Sequence, residues 1–182
     1  MQPSPSPSPA AGRKVGSVVG LLWINGEEVC LGTPPGPRQA GVFLTPAGVR
    51  ISGDAPREWL WSDLLDLRVS DAPVRSAVTR WATHALSVAA AAVDAWIPGG
   101  PAEMTVTLTT KDGESTETPV FSGAAVAHSQ REVDLSLGLL ARFVRGELSP
   151  GVLTRWWREV RPAEVLRARE REAALEGWLG IG

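Results

Sequence analysis

The sequence has one cysteine, two histidines and no tyrosine. The single Cys30 excludes an intramolecular disulfide and a multi-cysteine zinc site. It lies in an apolar run, which favours a buried, inert thiol and a cytoplasmic protein. His84 and His128 are the only side chains that ordinarily titrate near neutral pH, and we interpret both as structural or solvated residues.

A strong excess of positive charge is also lacking. The formal net charge is −2 and the isoelectric point is near 5.7. Affinity for nucleic acid depends on many cationic side chains, and no run of the sequence supplies a basic patch of adequate size. We therefore expect no nucleic-acid partner.

Catalytic motifs are absent as well. The chain has no G-x-S-x-G, no H-E-x-x-H, no Walker A lysine and no glycine fingerprint after a strand. Asp63, Asp66 and Asp71 are spaced too irregularly for a calcium loop and are interpreted as turn and strand-end residues. We expect no enzyme activity, no catalytic residue, no metal ligand and no cofactor.

The first fourteen residues alternate proline and serine without an apolar core. Such a segment cannot serve as a signal peptide or bury enough surface to fold, so residues 1–14 are predicted to be a disordered arm. The predicted organisation continues with a domain over residues 15–146, which contains a helical insert at 76–96. A C-terminal helical extension follows at 149–180.

Strands dominate the pattern before residue 72, where we expect five or six. Val15 to Ile24 is predicted to form one strand that enters a hairpin at Asn25-Gly26, and Glu28 to Leu31 forms the return strand. Gly41 to Ser70 is predicted to organise the fold as three consecutive short strands around tight turns, with Leu64 to Val69 another strand-length segment.

The second half alternates helices with one more hairpin. Ser76 to Trp96 is alanine-rich and predicts a helix that packs on the sheet, because Arg80, His84 and Asp94 disfavour a membrane crossing. Met104 to Thr109 and Ser115 to Phe121 predict a hairpin around Lys111-Asp112-Gly113. Ser129 and Glu132 form a capping-box pattern ahead of a helix that ends near Arg145-Gly146.

The C-terminal segment predicts two more helices. Ser149-Pro150 begins the first, which carries Trp156-Trp157, and Pro162 begins a second helix with interleaved opposite charges. The first has an apolar side too wide to remain in water.

The order of several antiparallel strands followed by one amphipathic helix resembles the pleckstrin-homology (PH) superfold. Two adjacent segments are similar to a run common in bacterial PH-like and GRAM-like domains: LTPAGVRI, from Leu44 to Ile51, and WLWSDL, from Trp59 to Leu64. Trp61 occupies the position of the tryptophan in that run. The composition is typical of a GC-rich, actinobacterial-like genome. The resemblance implies an α+β fold: a mostly antiparallel bent sheet or partly open barrel, closed by a C-terminal helix.

The resemblance also implies a binding module without catalysis. PH domains that bind inositol phosphates use basic side chains around the first hairpin loop, but that loop here contains Glu27 and Glu28, and Arg13 and Lys14 are the nearest cations. We therefore expect no phosphoinositide binding. The closing helix has Phe143 where PH domains often bury a tryptophan.

The candidate interaction surface lies on the tryptophan-bearing helix. Aromatic and arginine side chains dominate interface hot spots. The surface consists of Val152, Leu153, Trp156, Trp157 and Val160, flanked by Arg155 and Arg158. It either folds back on the chain's own sheet or binds a partner protein or a second copy. The expected function is a protein-interaction or scaffold module; the alternative is peripheral membrane association through the same helices.

Overall fold

A computed structural model describes residues 15–36, 39–75, 102–123, 128–162 and 165–180. The predicted arm at 1–14 and the predicted alanine-rich helix at 76–96, with His84, lie outside the described residues. Within them the chain forms an α+β fold with nine strands in two antiparallel sheets and three α-helices.

The first sheet contains six strands, each paired with its neighbour in sequence. They are β1 (Ser17–Val19), β2 (Leu22–Ile24), β3 (Val29–Leu31), β4 (Gly41–Leu44), β5 (Gly48–Ser52) and β6 (Arg57–Leu60). Side chains alternate between the two faces, as the strand period requires. One face packs on the main core through residues such as Leu22, Ile24 and Val49.

The prediction of one strand from Val15 to Ile24 is wrong. Gly20 adopts a left-handed conformation (φ 56°) and reverses the chain between β1 and β2. A Cβ atom at this position would also clash with the Ser136 hydroxyl. A glycine is therefore needed for both the turn and the approach of the neighbouring helix, and this extra turn raises the number of strands before residue 72 to seven.

The three short strands predicted from Gly41 onward are β4, β5 and β6, and the strand-length segment predicted after them is also a strand. A short 3₁₀ helix (Trp61–Asp63) separates β6 from β7 (Leu64–Ser70), so the chain leaves the first sheet and starts the second at this point. The indole nitrogen of Trp61 donates a hydrogen bond to the Thr45 carbonyl (2.9 Å). This bond ties the 3₁₀ helix to the turn between β4 and β5.

The second sheet consists of β7, β8 (Glu103–Thr110) and β9 (Ser115–Phe121). The predicted hairpin between β8 and β9 is confirmed. The Thr33 amide bonds to the Phe121 carbonyl (2.8 Å), and Arg57 of β6 forms an ion pair with Glu114 (2.5 Å). No strand ladder joins the two sheets within the described residues, so they do not form a closed barrel.

The first helix, α1 (Gln130–Val144), packs against β7. Its capping box is present as predicted: the Glu132 amide donates to the Ser129 hydroxyl (3.0 Å), and the Glu132 carboxylate accepts from the Ser129 amide (2.9 Å). Phe143 is buried near the end of α1, and its ring lies 5.9 Å from that of Trp61.

Two helices follow, α2 (Gly151–Val160) and α3 (Ala168–Leu179). The prediction that Pro162 begins the second helix is wrong by several residues. Arg161 is left-handed (φ 47°) and ends α2, whereas Arg167 is extended and its amide donates to Glu170 (2.7 Å) at the start of α3. Leu175 and Leu179 of α3 join the main core.

Candidate interaction surface

The apolar side of α2 is covered by the protein itself. Leu153 has no exposed surface, and Val152, Trp156 and Trp157 are partly buried against the main core. The Trp156 ring meets Trp178 of α3 edge-to-face, with 5.2 Å between centroids. Of the two alternatives for this side of the helix, folding back on the chain itself is the one observed for Leu153 and Trp156, whereas Trp157 keeps part of its surface exposed beside a surface recess.

The rest of the predicted surface is accessible. Arg155 and Arg158 are exposed, and Val160 has 58% of its surface in solvent. Beside them lies a recess that we call the α2 groove, lined by Val15, Trp157, Arg158, Arg161 and Pro162, with a volume of about 570 Å³.

Trp157 is held in a fixed position in the groove. Its indole nitrogen donates a hydrogen bond to the Ser17 hydroxyl of β1 (3.3 Å). The turn between β2 and β3 passes close to the ring because Gly26 has no side chain: a Cβ atom there would lie 3.4 Å from the Trp157 ring and 3.1 Å from Cγ of Arg158. The sheet therefore positions the groove's aromatic wall.

The C-terminal end of α2 forms the other part of the groove. Arg161 adopts its left-handed conformation at the helix end, and its amide donates to the Trp157 carbonyl (2.8 Å). Pro162 follows and cannot continue the helix hydrogen bonds. The chain therefore turns away from the α2 axis and leaves Arg161 and Pro162 beside Trp157.

Two acidic residues of α3 bind residues at the start of α1. The Glu172 carboxylate accepts a hydrogen bond from the Ser129 hydroxyl (2.7 Å), and Glu176 forms an ion pair with Arg131. Arg171 forms a second ion pair, with the buried Glu132 of α1. The interface between α1 and α3 thus uses charges of both signs.

Glu132 is ionised despite its burial. Burial alone would raise the pKa of its carboxyl group, but hydrogen bonds from Arg171 and from the Ser129 amide outweigh that effect and hold the pKa below its usual value. The group therefore stays charged at neutral pH and its charge is compensated locally.

The arginines of α2 have no such compensation. Among the described residues, no acidic side chain forms an ion pair with Arg155, Arg158 or Arg161. Arg158 donates instead to the Thr154 carbonyl of its own helix (3.2 Å). Two of these three guanidinium groups, on Arg158 and Arg161, line the α2 groove.

A second, smaller cleft lies at the first hairpin loop. Its volume is about 110 Å³, and its lining includes Glu27, Glu28, Phe43 and Arg50 with the start of α2. The Arg50 guanidinium stacks on the Phe43 ring at 4.5 Å. Pockets that enclose small molecules are usually about 300 Å³ or larger, so this cleft is too small for most metabolites. Its two carboxylates are where the sequence places them, in the loop that would meet an inositol phosphate.

The remaining candidates for chemistry are buried. His128 is 1% exposed, and its Nε2 lies 3.2 Å from the Ser122 hydroxyl. Burial lowers the pKa of His128; Glu132 opposes this effect, and Arg171 and Arg75 add to it. Substrate cannot reach this buried pair, so we interpret it as structural.

Cys30 is buried on the opposite face of the first sheet, between Trp23 and Phe43. Burial, with a smaller contribution from Glu28, raises the pKa of its thiol to about 12. The thiolate that would react or bind metal is therefore scarce at neutral pH.

Neither membrane crossing nor metal binding finds support in the part of the chain that the structure describes. None of the helices there has the length and apolar character that a bilayer crossing requires. In the same ranges, no group of three or more His, Cys, Asp or Glu side chains is placed to hold a metal ion.

Comparisons with known proteins give no relative: the chain matches no protein-family model, no curated protein and no solved structure. Functional inference therefore depends on the geometry of the surface alone.

Sequence reasoning missed three of the groove's five lining residues: Val15, Arg161 and Pro162. Val15 is far from α2 in sequence, and its place beside Trp157 follows from the pairing of β1 with β2 and the bond between Ser17 and Trp157. Pro162 was interpreted as a helix start. The sequence did contain a signal for the correct position of Pro162. A proline disfavours the helical conformation of the residue before it, so Arg161 was a candidate for the end of α2 and a change of chain direction.

Proposed function

We propose that this protein is a non-enzymatic, PH-like interaction module that binds another protein at the α2 groove. The observation that carries the proposal is the groove itself: an exposed apolar recess with a tryptophan wall, flanked by two arginines that form no ion pair with any acidic residue that the structure describes. Tryptophan and arginine dominate the binding energy of protein interfaces.

Two observations support the PH-like assignment. The strands precede a single amphipathic helix, α1, that packs on the second sheet. Trp61, the tryptophan of the resembling run, lies with its ring 5.9 Å from that of Phe143 in the same helix. This assignment predicts that the β-sheets form a rigid scaffold and that the partner binds at elements added to the PH-like fold. In this protein those added elements are α2 and α3.

The groove is suited to a macromolecule rather than to a metabolite. Its lining comes from only two short segments, Val15 and Trp157 to Pro162, so a small ligand would keep much of its surface in water. Small-molecule sites usually bury most of the ligand. A protein surface can cover both the apolar wall and the flanking arginines at once.

Comparative capture from a lysate of the source organism, with quantitative mass spectrometry, tests the proposal. A Val15→Asp variant places a charge in the groove, whereas Val165→Asp places the same charge at a valine that is 84% exposed and lies outside it. We expect partners that bind the wild type and the Val165→Asp variant but not Val15→Asp. Identical sets from both variants would contradict the proposal.

A further inference from the structure

The three glutamates of α3 have hydrogen-bond or ion-pair partners outside the groove. Glu172 and Glu176 face α1, and the Glu170 carboxylate accepts from the Arg167 amide at the start of α3. Glu27 and Glu28, which lie next to Gly26 in the neighbouring turn, line the smaller cleft and not the groove. The α2 groove thus contains two cationic side chains and no acidic one among the described residues.

The groove has an apolar part beside these cations. Val15 is 64% exposed, Pro162 and Trp157 are partly buried, and Arg158 and Arg161 line the same recess. Guanidinium groups bind carboxylates through paired, charge-assisted hydrogen bonds, and an aromatic wall favours an aliphatic or aromatic side chain against it.

We infer that the α2 groove binds an acidic peptide segment of the partner protein, with carboxylates on Arg158 and Arg161 and one apolar side chain against Trp157. This inference rests on the proposed function and adds the chemical class of the partner. Charge complementarity selects this occupant, because a basic or neutral segment would leave both guanidinium groups without a carboxylate.

An anionic membrane offers the same sign of charge but fits less well. Surfaces that recognise acidic lipids usually cluster about four to eight basic residues, whereas the groove has Arg158 and Arg161. The recess is also concave, and a flat bilayer would not reach the Trp157 ring, which the bond to Ser17 holds in place.

Selection from a phage-displayed library of random dodecapeptides tests the inference. The full chain serves as bait, and the Val15→Asp variant serves for counter-selection. We expect the enriched peptides to carry two or more Asp or Glu residues next to one aliphatic or aromatic residue. Enrichment of neutral or basic peptides, or no enrichment above the Val15→Asp bait, would overturn the inference.

A charge-reversal pair measures the role of the arginines. For the strongest enriched peptide, fluorescence anisotropy should show binding about tenfold weaker, or more, for Arg158→Glu with Arg161→Glu. The matched control is Arg68→Glu with Arg169→Glu, which makes the same charge change at exposed positions outside the groove and outside the candidate interaction surface, and it should change affinity less than about twofold. Equal effects of the two pairs would contradict the assignment.

The two proposals fail separately. If Val15→Asp removes the captured partners but Arg158→Glu with Arg161→Glu does not, the groove binds protein and the acidic partner is wrong. If vesicles of phosphatidylserine and phosphatidylcholine bind the protein and the charge-reversal pair abolishes that binding, the groove recognises membrane and the peptide inference is overturned. Absence of vesicle binding together with acidic enrichment supports it.

Discussion

Two regions of the molecule combine arginine with apolar side chains: the interface between α1 and α3, and the α2 groove. In the first the arginine is largely buried and paired, and in the second the arginines are exposed. At the interface, Arg171 is largely buried and bound to Glu132, with Leu175 and Leu179 packed beside it in the core. In the groove, Arg158 and Arg161 form no ion pair within the described part of the chain, and Val15 is exposed. One region holds the fold together and the other presents the same chemistry to solvent.

This difference shows that the net charge of a helix does not indicate whether a given charged side chain contributes to stability or to binding. A buried ion pair matters mainly because removing one partner leaves an uncompensated charge, while exposed charges contribute little to folding. Removing a charge at the α1–α3 interface should therefore affect stability, and removing one in the groove should affect binding. The following predictions test this division.

The largest expected effect comes from Glu132→Ala. The substitution leaves Arg171 buried without a carboxylate and removes half of the α1 capping box, so the free energy of unfolding should fall by about 3 to 5 kcal/mol. Urea denaturation followed by circular dichroism measures it. Arg131→Ala, at the exposed Arg131–Glu176 pair, is the control and should have a much smaller effect. Equal losses would contradict the comparison.

A double substitution, Glu132→Leu with Arg171→Met, sharpens the same point. Replacing both buried charges with apolar groups removes the desolvation cost along with the pair, so stability should recover most of the loss seen for Glu132→Ala. If the double variant is as unstable as the single one, the ion pair has a structural role beyond charge compensation.

Leu153→Ala should have the next largest effect. Leu153 is the fully buried anchor of α2, and its truncation leaves a cavity that typically costs about 2 to 5 kcal/mol. Val160→Ala, on the exposed side of the same helix, should change stability by less than about 0.5 kcal/mol. Thermal and urea unfolding of the two variants measure the difference. Similar values would mean that α2 does not dock through Leu153.

The pH dependence of stability provides a smaller, graded effect. Burial lowers the pKa of His128 from its ordinary value of 6.5, so the unfolded chain binds a proton more readily than the folded one. Stability should therefore be full above about pH 6.5 and fall as the pH is lowered from there. Glu132 adds a loss below about pH 4.5, because its pKa is lowered in the fold. Urea midpoints across pH 4 to 8 measure both.

His128→Asn separates the two contributions. The asparagine does not titrate, so the decline between pH 6.5 and pH 5 should disappear while the decline at lower pH remains. A steeper decline in this variant would mean that His128 is protonated in the folded protein, contrary to its buried position.

Much of the fold could be predicted from local patterns. The β8–β9 hairpin, the capping box at Ser129 and the start of α2 each depend on a few adjacent residues, and all three are found as predicted. The turn at Gly20 was missed because a single glycine in an apolar run is also compatible with an uninterrupted strand. The close approach of the Ser136 hydroxyl, which requires a glycine there, involves a residue far along the chain.

The charges of the C-terminal segment could not be assigned from sequence. The last helix carries interleaved charges of both signs, but this pattern does not specify which glutamate pairs with which basic or polar residue. In the structure, Glu172 and Glu176 bind Ser129 and Arg131, both at the start of α1. Such long-range pairing depends on how α3 docks, and helix periodicity alone does not specify it.

The smallest expected effect on stability is that of Arg158→Glu with Arg161→Glu. Neither guanidinium has an acidic partner among the described residues, and both side chains are exposed, so the free energy of unfolding should fall by only about 1 kcal/mol or less, from the reversal of charge at the carbonyl end of α2. The same variant is expected to lose affinity for the acidic peptide, so one protein reports both properties. A larger loss of stability would show that the arginines of the groove belong to the fold and would remove the distinction between the two regions.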